Sequence, residues 1–340
     1  MFDFTICGAG PIGSFLAWKL SLRGYKVLLI EEHPKPGLPL ACSGLISKRI
    51  FTFVPYNKSL IERQIHGARI HVKNKTFTFK SSQPLVFNRT KLDQYIFDIA
   101  RNSGVEMMLS TKLFSFFERD DLVTLYIKRN GKLMTLQTKI LIGCDGPLST
   151  VRSQLNIPQP KFLHGIFTYS SGSLDDFVDL YLKESPDFFA WRIPRYSLVE
   201  YGIASSHHTK TFFQKFLKKH KIKPTKIYSG LIPFGLLPRI SSHRVLLCGD
   251  AASMTKPHTG GGVIYGLTCA DIASRVIDPD DPNLSFVESL IKKKLKKEIL
   301  TGLFIKNSYR LPTPFLSLAL SILSKRRDLD MDKPSTIFNI

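Results

Sequence analysis

The chain has 340 residues, 43% of them hydrophobic and 22% charged, the balance of a folded protein with a sizeable core and room for two domains. Lysine and arginine number 48 against 27 aspartates and glutamates, a formal net charge of +21, so the surface attracts anions of any kind. The basic residues are dispersed and no nucleic-acid motif accompanies them, which excludes nucleic acid as an expected partner and leaves a solvated basic face or an anionic membrane surface.

Residues Phe2–Cys7 read as a buried parallel strand. The turn Gly8-Ala9-Gly10-Pro11-Ile12-Gly13 follows at once. A helix pattern runs over 14–23, Gly24 ends it, and a second apolar strand over 25–30 closes on Glu31 and Glu32. These pieces make a complete βαβ unit. Gly8 permits the tight turn, Gly10 lets the backbone approach a pyrophosphate, and Gly13 lets helix and strand pack closely. A pyrophosphate then lies at the positive end of the helix, beside Pro11 and Ile12. A carboxylate after the second strand accepts hydrogen bonds from ribose hydroxyls. Glu31, with Glu32 beside it, therefore fits FAD or NAD and opposes a 2′-phosphate.

Alternation over 65–80 predicts a β-hairpin, and Arg89 precedes a helix over 91–102. An apolar strand over 139–144 enters Asp145-Gly146. Several alternating runs over 162–232, with one helix over 210–219, predict an antiparallel sheet. Within it Phe189 and Trp191 take alternate positions of a strand and face one side, with Phe188 on the other. Such a face, followed by Pro194, suits a long apolar chain without polar handles; a core tryptophan of a sheet is the competing reading. A strand over 244–248 then enters Gly249-Asp250, followed by Pro257, Gly260, Gly261 and Gly262 and a helix over 263–277. The carboxylate can hold a ribityl hydroxyl, and the glycine N–H groups can stabilise negative charge on the N1–C2=O edge of a reduced flavin. This corner selects FAD as the expected cofactor.

Beyond residue 278 the chain reads as helical. It is strongly basic over 286–306 and apolar over 315–323, ending in Lys325, Arg326 and Arg327. The apolar run is too short to span a bilayer. An interfacial helix with a cationic flank and a helix packed over a substrate tunnel both fit it. Five cysteines without CxxC spacing argue against a disulfide framework or a zinc site, and no metal is expected. With a strand at the very start and no membrane span, the expected location is cytoplasmic, with peripheral attachment at the inner face of the cell membrane as the alternative.

Together these segments resemble the flavoprotein group that contains the aromatic hydroxylases and the geranylgeranyl reductases. The matching residues are Gly8 to Gly13, Glu31, Arg89 with Leu92-Asp93, 143–152 and 249–262. The resemblance implies an α/β fold: a Rossmann-type FAD-binding domain, aromatic-hydroxylase-like with the glutathione-reductase fold, over 1–62, 86–160 and 234–277. It implies an antiparallel-sheet substrate domain over 63–85 and 161–233, and a C-terminal helical region over 278–340. It places Arg89 near the FAD phosphates, Asp145 and Gly146 on the adenosine side, and Asp250 on the sugar chain. Cys42-Ser43-Gly44 is similar to the geranylgeranyl reductase branch, where this turn passes the reacting face of the flavin. The run over 189–194 is similar to the motif that lines that branch's isoprenoid tunnel. Phe189 replaces the usual tyrosine there and Ile193 the usual phenylalanine; an apolar wall survives both changes, but a hydrogen bond at the first position does not.

The implied reaction is FAD-dependent reduction of isoprenoid double bonds in archaeal membrane lipids or geranylgeranyl diphosphate. Hydride comes from flavin N5 and a proton from an acid, with Cys42 as the candidate acid or positioning group. The implied partners are a prenyl-lipid substrate and an electron donor, whether NAD(P)H, ferredoxin or a deazaflavin. Two other readings stand beside it: an FAD-dependent monooxygenase of a small apolar substrate, and a basic membrane-associated flavin-binding protein without catalysis.

Overall fold

The computed structural model describes residues 1–326 and 329–338; Arg327 of the expected cationic flank lies outside them. Strand β1 (Phe2–Cys7) is almost wholly buried, as a strand covered on both faces must be. Helix α1 (Pro11–Ser21) starts at a proline, which tolerates the unpaired first turn. Then come β2 (Val27–Ile30), β3 (Leu45–Ser47), β4 (Ile61–Gln64), the hairpin β5 (Gly67–Val72) and β6 (Lys75–Lys80), and β7 (Pro84–Phe87). Helix α2 (Arg89–Asn102) begins two residues ahead of the expected start, because the Asn88 side chain caps it by accepting from the Lys91 N–H. β8 (Glu106–Met108), β9 (Thr111–Glu118), β10 (Val123–Arg129) and β11 (Lys132–Gly143) lead to the short α3 (Thr150–Gln154). The middle of the chain holds β12 (Lys161–Ser170), β13 (Phe177–Tyr181), β14 (Ala190–Pro194), β15 (Val199–Ser205), α4 (Thr209–Lys219) and β16 (Ile227–Phe234). β17 (Val245–Leu247), α5 (Val263–Val276), α6 (Leu284–Ser308) and α7 (Thr313–Leu323) follow.

The first sheet runs β8-β2-β1-β11-β10-β9, with β17 also paired to β11. β1 is parallel to both β2 and β11; the chain crosses from β1 to β2 on one side and from β11 to β17 on the other, so the connections diverge between β1 and β11. That arrangement opens a crevice at the carboxyl ends of the parallel strands, the usual place for a ligand in an open α/β sheet. The second sheet runs β16-β12-β15-β14-β13-β5-β6 and is antiparallel except for β13 against β5. Strands β3, β7 and β4 make a small third sheet.

The second sheet buries both faces. One packs Ile166, Ala190 and Ile203 against Phe213, Phe216 and Leu217 of α4. The other gathers Phe167, Phe189, Trp191 and Ile193 with Leu316 and Leu320 of α7. Phe188 belongs to this second face too, stacked on Phe189 with ring centroids 4.0 Å apart. Its expected opposite orientation fails because β14 starts only at Ala190, so strand alternation does not extend back to it. Helix α7 turns Leu316 and Leu320 inward and leaves Phe315, Leu318 and Ile322 exposed. Among the described residues, no helix is long and apolar enough to cross a membrane.

Candidate functional site

Three strand-end corners meet at the crevice. Gly8 adopts φ +103°, and a Cβ there would lie 2.4 Å from the Cys144 carbonyl oxygen of the second corner. The third corner closes on the first, since a Cβ on Gly249 would meet Ile12 at 3.2 Å. The buried Arg152 guanidinium ties second to third, donating to the carbonyls of Pro147 at 2.7 Å and Ala251 at 3.0 Å. In front of Gly10 the space is open: a Cβ there would meet nothing within 4 Å. Glu31 Oε2 accepts from the Ala9 N–H of the same turn at 2.8 Å, which holds the acid at the turn's edge. Glu32 points away and pairs with Lys112 at 3.0 Å on the surface, so the structure does not bring it to the crevice.

The two aspartates behave differently. Asp145 is engaged within its own corner, accepting from Ser149 Oγ at 2.6 Å and the Val151 N–H at 3.1 Å at the start of α3. Burial nonetheless pushes its carboxyl up from the ordinary value, against those bonds. Gly146 beside it adopts φ +78° and faces open space. Asp250 is half-buried with Arg89 as its charged neighbour, and desolvation pushes its carboxyl up to about 6 against the pull of that guanidinium. Its Oδ1 lies 2.8 Å from where a Gly262 Cβ would sit, so the carboxylate rests against the glycine turn. Pro257 backs that turn onto Gly302 of α6.

Arg89 pairs with Asp93 one helical turn on, at 3.0 Å. Burial works against its charge, but Asp93 and the Cys42 thiol alongside hold the guanidinium above its ordinary value. Gly44 must be glycine, because at φ +74° a Cβ would lie 2.4 Å from the Phe87 carbonyl oxygen. Arg89 also lines a cleft of about 270 Å³ with Leu40, Tyr169, Arg195 and Tyr196. Both the cysteine turn and the glycine turn abut β16. A Cβ on Gly230 would meet the Ala41 carbonyl oxygen at 2.9 Å, and one on Gly260 would meet Ile232 at 3.2 Å. Gly230 and Ile232 are two residues apart and share one face of the strand.

The FAD binding domain family matches residues 1–181.

The chain belongs to the FAD binding domain family.

Its cofactor is FAD, and it is an FAD-dependent oxidoreductase with a Rossmann-type fold. It is 28% identical to a digeranylgeranylglycerophospholipid reductase of Methanocella arvoryzae over 81% of this chain and 77% of that protein. It is also 28% identical to an uncharacterised protein of Methanocaldococcus jannaschii, over 97% of this chain and 90% of that one. A geranylgeranyl bacteriochlorophyll reductase-like protein from Thermoplasma acidophilum has the same fold, with a TM-score of 0.88, 21% identity, and coverage of 99% of this chain and 95% of that one.

The crevice of this FAD-binding fold fits the cofactor by its open space at Gly10 and by a half-buried carboxylate, Asp250, at a strand's end. Beside it, the register of the second sheet aligns Trp191, Gly202, Phe167 and Tyr228 in one row across four strands. Gly202 makes room for the indole, which occupies the place of its Cβ at 2.3 Å. Phe167, Tyr169 and Tyr228 extend the aromatic surface, with ring centroids 5.2 to 5.9 Å apart. The sequence reading passed over this trio, although Phe167 and Tyr169 alternate along one strand. It also missed Glu200, a fully buried acid that accepts from the Trp191 indole N–H at 2.9 Å. A charge at an inward position of an apolar alternation was the available signal.

Proposed function

We propose that the protein reduces isoprenoid double bonds of geranylgeranyl chains in archaeal membrane lipids or geranylgeranyl diphosphate. The observation that carries this reading is the meeting of the cysteine turn and the glycine turn on one face of β16, beside an aromatic row with few polar groups. The reductase-named relative from Methanocella arvoryzae supports it.

In this reading the turn from Gly8 to Gly13 binds the pyrophosphate at the N-terminus of α1, and Glu31 accepts from the ribose. Asp145 and Gly146 shape the adenosine side, where the Asp145 carboxylate acts through the fold of its own corner. Asp250 would accept from the ribityl chain and Arg89 would add positive charge near the phosphates; the Gly260 N–H is held by the Lys256 carbonyl at 2.8 Å, so the pyrimidine edge falls to the N–H groups of Gly261 and Gly262. When bound and reduced by the electron donor, the flavin would supply the hydride. Cys42, with Ser43 and Gly44, positions the alkene and places a proton donor at the carbon that does not take the hydride. Protonation must accompany hydride delivery because an isolated trisubstituted alkene is a poor hydride acceptor. Phe189 and Trp191 wall the chain and exclude water; Pro194, expected beside them, shares the opposite face of β14 with Ala190, because strand alternation turns it away. The electron donor is of the NAD(P)H, ferredoxin or deazaflavin type. The face offered to an anionic membrane is the exposed stripe of Phe315, Leu318 and Ile322 on α7.

The test is to incubate the reduced enzyme with unsaturated archaeal-type lipid and measure product mass. A gain of about 2 Da per double bond is expected. No gain with any prenyl lipid, or oxygen incorporation instead, sinks the proposal.

A further inference from the structure

We infer that Arg195 is a positioning residue that locks the Cys42 turn to the sheet carrying Trp191. Arg195 follows β14 directly, and its side chain is nearly buried. The guanidinium reaches four separate segments. Nε donates to Glu62 Oε2 of β4 at 2.8 Å, and Nη1 to Glu200 Oε2 of β15 at 2.9 Å. Nη1 also donates to the Ser43 carbonyl at 2.5 Å, and Nη2 to the Phe87 carbonyl at 2.9 Å. The other Glu200 oxygen holds the Trp191 indole N–H. A continuous chain of hydrogen bonds therefore runs from the indole through Glu200 and Arg195 to the carbonyl of Ser43, the residue after Cys42.

The two carbonyls that Arg195 grips flank a close approach of two backbone segments. Phe87 is the residue whose oxygen leaves no room for a side chain at Gly44. The arginine thus fixes both sides of a contact that glycine makes possible. A planar fork with several fixed donors can serve four acceptors at once; a lysine ammonium, with one nitrogen, cannot. Charge balance argues the same way. Two carboxylates, Glu62 and Glu200, converge on the single guanidinium, and a buried guanidinium so paired is costly to move. The separation between the Cys42 thiol and the aromatic row is consequently held by this guanidinium together with the contacts of Ala41 on Gly230 and of Gly44 on Phe87. Its catalytic consequence rests on the reading of Cys42 as substrate-facing; the clamp does not.

The test uses the FAD-loaded full-length protein and follows iodoacetamide alkylation of Cys42 by peptide mass. Arg195→Lys keeps the charge and Glu200→Gln keeps the shape. Both should raise the Cys42 alkylation rate about tenfold by freeing the turn to open. The buried Cys7, Cys248 and Cys269 serve as internal controls and should stay protected. In parallel, both variants should release a larger share of partly saturated lipid, with kcat lowered more than KM is raised. An unchanged Cys42 rate in either folded variant overturns the clamp. So does an equal rise at all the buried cysteines, which would mean general loosening. Should Arg195→Lys fail to fold, the isosteric Glu200→Gln decides alone. Should the wild-type protein reduce no prenyl lipid, the proposed reaction falls, while the alkylation rates still judge the clamp.

Discussion

Asp250 shows how one residue's surroundings set a measurable property. Its carboxyl is raised from 3.8 to about 6 because burial disfavours the charge more than Arg89 restores it. A ribityl hydroxyl donates best to the ionised form. FAD affinity should therefore rise with pH up to about 6 and level off above it, by at most about tenfold per pH unit on the rising limb. Asp250→Asn should bind FAD more weakly and flatten that dependence, as read by flavin fluorescence titration across the range. The apoprotein should respond in the opposite sense. A raised carboxyl pKa means the folded state holds its proton more tightly, so this group's contribution to stability falls as pH rises from 3.8 to about 6. An FAD affinity independent of pH in the wild type would remove Asp250 from the ribityl site.

At the scale of elements, the β14–β15 pair and helix α7 carry the argument. Gly202 sits opposite Trp191, and the indole fills the volume that any side chain would claim. Gly202→Ala should displace the ring and cost about 1–3 kcal/mol, the range for overpacking a filled core. A lowered melting temperature with an altered tryptophan fluorescence maximum would report it; an unchanged melt would show that the row can yield. Helix α7 presents Phe315, Leu318 and Ile322 at helical spacing on its open side, and Leu316 and Leu320 on the packed one. Replacing the three exposed residues by serine should abolish co-sedimentation with vesicles of anionic lipid while leaving the melt unchanged, because no core contact is lost. Binding that survives the triple change would place the membrane contact elsewhere. Of the two sequence readings of the tail, the structure shows packing on the second sheet, and the membrane contact is the prediction that the vesicle test checks. The helix does pack over the second sheet, and it also keeps an apolar face open. Periodicity alone could not separate these, since a helix apolar on both sides has no single buried face to read.

Across the whole molecule, local pattern and distant pairing divide cleanly. The βαβ unit, the glycine turns, Glu31 and Asp250 could be read from the chain because each depends on neighbours within a turn or a strand. Burial period, a tight turn and a helix start all leave short-range marks. The same holds for the alternation that predicted the second sheet. Glu32 went astray because adjacent acids at a strand's end point to opposite sides, and only Lys112 across the surface shows which one leaves the crevice. Asp145 was expected to support the adenosine side, and the structure adds that its carboxylate holds Ser149 and the Val151 N–H of its own corner. Arg152 was legible only as the last residue of the matching segment 143–152, and Arg195 carried no local signal at all. The partners that Arg195 grips lie 133, 152, 108 and 5 residues away along the chain. The amino-acid sequence by itself determined the dinucleotide-binding corner and the choice of FAD, because glycine geometry and strand burial are local. Only the tertiary structure decided how the cysteine turn stands against the aromatic row, because that spacing is set by hydrogen bonds between segments whose adjacency no period or motif encodes.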